Sequence, residues 1–153
     1  MKQRDSIRMT PEEAQAFLQS HHSCAFATNG HDGYPHVVAM WYTVDDGAVV
    51  MTSYAKAQKI LNLRRDPRAT VLVESGHKYK ELRGVMVRGK VELVEGQAAV
   101  NEVLRLVGAN PERPGEVPRR NEAAIRRAQK RVVIRLRPER WASWDHSRIV
   151  GDY

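Results

Sequence analysis

The residues whose types and spacing could do chemistry lie in the stretch Thr52 to Pro67, TSYAKAQKILNLRRDP, and the chemistry they suit is the holding of an anion. The apolar run Ala48 to Thr52 reads as a strand feeding a short helix, with Ser53 placed as its N-cap. A capped helix N-terminus turns unpaired backbone N–H groups outward, where they favour negative charge. Lys56 and Lys59 share one helical face, and Asn62 continues it. Ala57, Ile60 and Leu61 fall on the opposite face and give the helix a surface for docking. The same spacing also fits an ordinary solvated face, so by itself it offers a phosphate site without deciding for one.

Other reactive side chains read as structure. Cys24 is the only cysteine, sits among small residues of a strand and has no basic neighbour to activate it. His21 and His22 are adjacent and point to opposite sides of an extended chain, and no other histidines have metal-ligand spacing, so no metal site is expected. Asp145 and His146 look like two members of a triad, but adjacent residues rarely bond as a dyad and no serine elbow accompanies them. Trp41 fits either a core or the wall of a ring pocket, and Trp141 and Trp144 read as packing residues.

The elements that must position these residues follow in order. Thr10, Pro11 and Glu13 form a capping box for a first helix that buries Ala14, Phe17 and Leu18. Ser23 to Thr28 is a strand, and Tyr34 to Val44 with Ala48 to Thr52 is a hairpin turning at Asp45-Asp46-Gly47. His36 to Val44 is apolar on both faces, which implies a cover on each side. Arg68 to Glu74 is a further strand, followed by a polar loop from Ser75 to Lys80. In Gly84 to Val94, Val85, Val87, Val91 and Leu93 alternate with Arg88, Lys90 and Glu92. Gln97 to Val107 is an amphipathic helix and Gly108 to Pro118 a loop. A basic helix capped by Asn121 then precedes a last strand through Val132, Ile134 and Leu136, with an apolar tail from Trp141 to His146. The 153 residues suit one domain, 1–153. The expected fold is α+β, a six-stranded antiparallel split β-barrel with flanking helices.

Lys and Arg number 25 against 18 Asp and Glu, a net charge of +7 that favours anionic partners. No apolar run approaches membrane-spanning length and Met1 to Arg8 does not resemble a signal sequence, so a cytoplasmic protein is expected. Nucleic acid is not the expected partner, because the basic stretch Arg119 to Arg131 lacks interleaved aromatics and no nucleic-acid motif is present.

The segments DGYPHVVAMWYTVDDG, KILNLRRDPRATVLVE, ELRGVMVRGKVEL and RVVIRLRPERWASWDH, in this order and spacing, resemble the split-barrel flavin and deazaflavin proteins related to pyridoxamine 5′-phosphate oxidase. The resemblance runs from about Thr10 to Trp144. It implies that Lys59, eight residues before Pro67, holds the cofactor phosphate and that Asn62 helps hold the cofactor. It also implies that Thr52 and Ser53 lie near the phosphate end, with Lys56 a further candidate, and that Val38, Ala39, Met40 and Trp41 pass along the ring system. The flavin-binding oxidases often carry an arginine just before the lysine, where this chain has Gln58, and pyridoxamine 5′-phosphate oxidases carry a C-terminal arginine-histidine segment that is missing here. The Asn-Leu-Arg-Arg-Asp-Pro segment is similar to the branch that uses the deazaflavin coenzyme F420, whose oligoglutamate tail would suit Lys56, Lys59, Arg64 and the late arginines. The resemblance therefore implies an F420-dependent oxidoreductase acting on a small organic acceptor, with an FMN enzyme or a non-catalytic flavin carrier as alternatives. It further implies a homodimer with the cofactor at the interface. No catalytic residue is assigned, since such a ring carries the hydride itself.

Overall fold

The computed structural model describes residues 3–107 and 121–151. A short helix α1 (Gln3–Ser6) precedes α2 (Pro11–Ser20). The capping box of α2 forms as expected: Thr10 Oγ1 accepts from the Glu13 N–H at 3.2 Å, and the Glu13 carboxylate accepts from the Thr10 N–H at 2.8 Å. This order fixes the entry of α2, so that Ala14, Phe17 and Leu18 all face inward.

Strands β1 (Ser23–Asn29) and β2 (Pro35–Trp41) pair antiparallel, whereas β3 (Thr43–Asp45) pairs with β4 (Ala48–Tyr54). The expected single strand from 34 to 44 is thus two, and the sheet has seven strands rather than six. The break is Tyr42: its N–H donates to the His22 carbonyl at 2.9 Å and its hydroxyl to the Leu18 carbonyl at 2.5 Å, so it leaves both ladders and anchors on α2. The β3–β4 turn has Asp46 at φ 49° and Gly47 at φ 71°, the left-handed pair that a two-residue hairpin needs.

Helix α3 (Gln58–Arg65), β5 (Arg68–Ser75), β6 (Arg83–Val94), α4 (Gly96–Val107), α5 (Glu122–Ala128) and β7 (Arg131–Asp145) complete the chain. The sheet order is β2-β1-β5-β6-β7-β4-β3. Its two edge strands are consecutive in sequence and separated by Tyr42 alone, so the antiparallel sheet must curl round its core. Phe26, Val71, Val85, Val87, Ile134 and Leu136 line that core, with α2 and α3 packed against it. A second cluster lies outside the curl, where Val100, Val103 and Leu104 of α4 cover Val50 and Val133. Arg135 ties α4 down from the sheet by pairing with Asp45 at 2.6 Å and with Glu102 of α4.

Four sequence expectations change. Ser53 caps nothing: β4 runs on to Tyr54 because Ser53 pairs with Val132 and Tyr54 with Arg131, and α3 starts after Ala57, which makes no side-chain cap. Lys56 therefore lies in the connecting turn, not on the helix face with Lys59. Leu61 is 46 % exposed and Leu63 is the leucine that docks α3, at 3 %. The tail from Trp141 is not a separate packing segment but the second half of β7, which passes a bulge opposite Arg88 and Gly89 and pairs with β6 to its end. The expected loop Gly108 to Pro118, with Arg113, Arg119 and Arg120, lies outside the described residues.

Candidate cofactor site

Lys59 stands in the first turn of α3 and reaches back to β4, donating from Nζ to Ser53 Oγ at 3.2 Å. Ser53 is almost fully buried, on the same side of β4 as the core residues Val49 and Met51. Lys59 is half-buried and has no carboxylate partner among the described residues. An ammonium bonded to one neutral hydroxyl keeps two donors and its whole charge for an anion. These two residues, set apart in sequence by a turn, are brought together as the sequence reading requires of a phosphate site.

Thr52 is adjacent to Ser53 and so projects from the other face of β4. There its hydroxyl accepts from Arg131 Nη1 at 3.1 Å, and the Arg131 guanidinium lies 4.7 Å from the centroid of the Tyr54 ring. Arg131 escaped the sequence reading because its contact joins positions 79 residues apart, which only the β4–β7 register reveals. Lys56 is exposed in the turn. Arg64 is engaged, pairing with Glu95 and donating to the Ala55 carbonyl at 3.4 Å.

Asn62 is fully buried. Its Nδ2 donates to Thr28 Oγ1 at 3.0 Å, and its Oδ1 accepts from Gln58 Nε2 at 2.9 Å. Gln58 thus spends its amide on Asn62 where an arginine would present a charge. The Gln58–Asn62–Thr28 chain bonds α3 to β1 and fixes the helix that carries Lys59. His36 stands opposite Thr28 in the β1–β2 register, and its Nδ1 is buried without a hydrogen-bond partner.

The four ring-strand residues divide by parity. Val38 and Met40 turn inward, Met40 against the core, while Ala39 and Trp41 turn outward with Val37. The strand is thus covered on one side only: Val37 is 57 % and Trp41 53 % exposed, and Trp41 lies parallel to His22 with ring centroids 6.3 Å apart. A shallow depression of about 290 Å³ runs over Ala25, Val37, Ala39, Leu72 and Glu74.

The remaining reactive groups are occupied. Burial pushes the Cys24 thiol up to about 12, so it holds its proton at neutral pH. Burial also raises the Tyr42 hydroxyl. Asp145 accepts from Ser147 and pairs with Arg83 and Arg148, and these contacts outweigh the burial that opposes its ionisation. His146 bonds the Tyr79 carbonyl through Nδ1 at 3.0 Å, so the two are not a dyad. No cluster of metal-ligating side chains occurs among the described residues, and none of their helices is long and apolar enough to cross a membrane.

Residues 10–145 match the pyridoxamine 5′-phosphate oxidase family. The chain belongs to that family. Among solved structures, it is similar to the conserved hypothetical protein Rv2991 from Mycobacterium tuberculosis, at 36 % identity over 99 % of this chain and 98 % of that one, with a TM-score of 0.80. It is also similar to a protein described as an F420 reductase, at 26 % identity over 86 % of this chain and 98 % of that one, with a TM-score of 0.65. The heme storage protein HutZ from Vibrio cholerae shares the fold at 19 % identity and a TM-score of 0.64, covering 88 % of this chain and 92 % of that one. No curated protein matches. The split-barrel architecture expected from the sequence is therefore the fold of the protein, with its strand count corrected to seven.

Proposed function

We propose that this protein is a cytoplasmic, single-domain, homodimeric oxidoreductase that binds coenzyme F420 and transfers a hydride between it and a small organic acceptor. The observation that carries the reading is the Lys59 ammonium, held by Ser53 at 3.2 Å beside the start of α3. A phosphate there would receive Lys59 Nζ, with Ser53 steadying the amine. Lys56 and Thr52 are the outer members of this end of the site. Asn62 serves it from within, bonded to Gln58 and Thr28, by holding α3 in place. Val38, Ala39, Met40 and Trp41 form the strand along which the ring would lie, apolar enough to keep water off it.

When bound, the deazaflavin supplies the hydride chemistry. The chain's own part is to fix the phosphate, present a flat apolar strand and exclude water. Two features favour F420 over FMN: Gln58 stands where flavin oxidases often have an arginine, and the chain is 26 % identical to a protein described as an F420 reductase.

The test is a fluorescence titration of the purified protein with F420 and, separately, with FMN, followed by acceptor-dependent reoxidation of the reduced coenzyme. Preference for FMN would move the protein to the flavin alternative. Tight F420 binding without reoxidation by any acceptor would make it a carrier. Failure to bind either would remove the redox reading.

A further inference from the structure

The outer face of the sheet not covered by α4 and α5 carries three rows of side chains in register. The middle row is Ala39, Ala25, Leu72, Met86 and Ala142, across β2, β1, β5, β6 and β7. One flanking row is Trp41, Ser23, Glu74, Gly84 and Trp144, where Ser23 meets Glu74 by one further step of the β1–β5 register. The other is Val37, Ala27, Thr70, Arg88 and Arg140. Beyond it Lys90 lies between Arg68 and Arg137. Arg88, Lys90, Arg137 and Arg140 are exposed and have no ion-pair partner among the described residues. Like charges opposed across strands are unfavourable unless something neutralises them.

We propose that a second copy of this chain docks on this face about a twofold axis that runs across the strands, along the middle row. The inference rests on the homodimer reading above and specifies its surface. Such an axis lays the apolar middle row on itself and the tryptophan row on the arginine row of the other copy. Trp41 then meets the partner's Val37. Glu74 falls about one strand spacing, ~4.8 Å, from the column of the partner's Arg88. Gly84, which has no side chain, leaves room for that arginine. Trp144 meets the partner's Arg140, an arrangement suited to a cation–π contact.

An axis along the strands would instead return each row on itself, leaving Glu74 without a cation and the arginine rows facing each other. Charge therefore selects between two arrangements that apolar contact alone would not distinguish. Five strands by three rows cover roughly 24 by 20 Å at ordinary sheet spacings. That is about 1,000 Å² for the two copies together, near the lower bound for a stable interface. The second copy would also cover Val37, Ala39 and Trp41, so the ring strand of each cofactor site would be closed by the other chain.

The experiment is sedimentation velocity on the full chain and its variants, with far-UV circular dichroism to verify the fold. Ala25→Glu places a carboxylate on the axis and is expected to weaken the dimer at least about 100-fold. Glu74→Arg, at an exposed position that tolerates substitution, is expected to weaken it about tenfold, and Arg88→Glu added in the same chain to restore most of that loss. A dimer insensitive to both Ala25→Glu and Glu74→Arg would overturn this surface while leaving the homodimer reading intact. Weakening by Ala25→Glu with no restoration in the double variant would overturn the axis. A wild-type protein that stays monomeric at high micromolar concentration would overturn both.

Discussion

Replacing Lys59 with Ala removes one ammonium from a half-buried position and leaves the rest of α3 in place. In the structure this amine makes a single hydrogen bond, 3.2 Å to Ser53 Oγ, and no ion pair among the described residues, so the fold gains little from it. A neutral-acceptor bond of this kind is worth about 1 kcal/mol net, and Ser53 keeps its own hydroxyl proton to satisfy another partner. Unfolding free energy should therefore fall by no more than about 1 kcal/mol in a urea titration. A bond from the same amine to a phosphate is charge-assisted on both sides and worth about 1.5–3 kcal/mol. Losing it should raise the Kd for F420 about 10- to 150-fold in a fluorescence titration. Lys59→Arg keeps the charge and should recover part of the affinity. An unchanged Kd in Lys59→Ala, with the protein folded, would refute the site; a large loss of stability would show that the lysine belongs to the fold instead.

Asn62→Leu should cost about 2–4 kcal/mol in stability, because Gln58 and Thr28 both lose their partner in a fully buried setting; chemical denaturation measures it. Gly84→Ala should be clearly destabilising by thermal melting, since an added Cβ would stand 2.2 Å from the Trp144 ring. Asp45 has its pKa lowered by hydrogen bonds from Arg105 and then Arg135. Its contribution to stability is therefore present above the unfolded-state value of about 4 and is lost as pH falls through the lower folded-state value. Asp45→Asn should flatten the acid limb of the stability–pH curve, and an unaltered limb would contradict the pairing. Cys24, with its thiol raised to about 12, should react with a disulfide reagent only as fast as the protein unfolds.

What the sequence made legible was local. The capping box of Thr10 and Glu13, the left-handed Asp46-Gly47 turn and the alternation of Val85, Val87, Val91 and Leu93 each depend on residues a few positions apart. What it hid was set by distant partners. Ser53 looks like a cap until Val132 pairs with it and prolongs the strand. Leu61 and Leu63 are equally apolar, and only the docking of α3 on the core decides which is buried. Tyr42 interrupts an unbroken apolar run because α2 offers it the carbonyl of Leu18. In the candidate site, Lys59 and Ser53 were readable, while Arg131 and the bond from Asn62 to Thr28 needed the register of strands far apart in sequence.

The position of β7 governs the order in which the molecule can be made. Strand β4 has only β3 and β7 as neighbours, and β7 alone joins it to β6. Until Arg131–Asp145 leaves the ribosome, the nascent chain holds a small β3–β4 ribbon and a separate β2-β1-β5-β6 sheet, hinged at Tyr42. At about 5–20 residues per second, apolar strand surface waits several seconds for the segment that covers it. A chain that stops short of β7 lacks the strand that unites the two halves. Ribosome release and sheet closure are thereby nearly the same event, which makes the last segment synthesised a checkpoint on the whole fold.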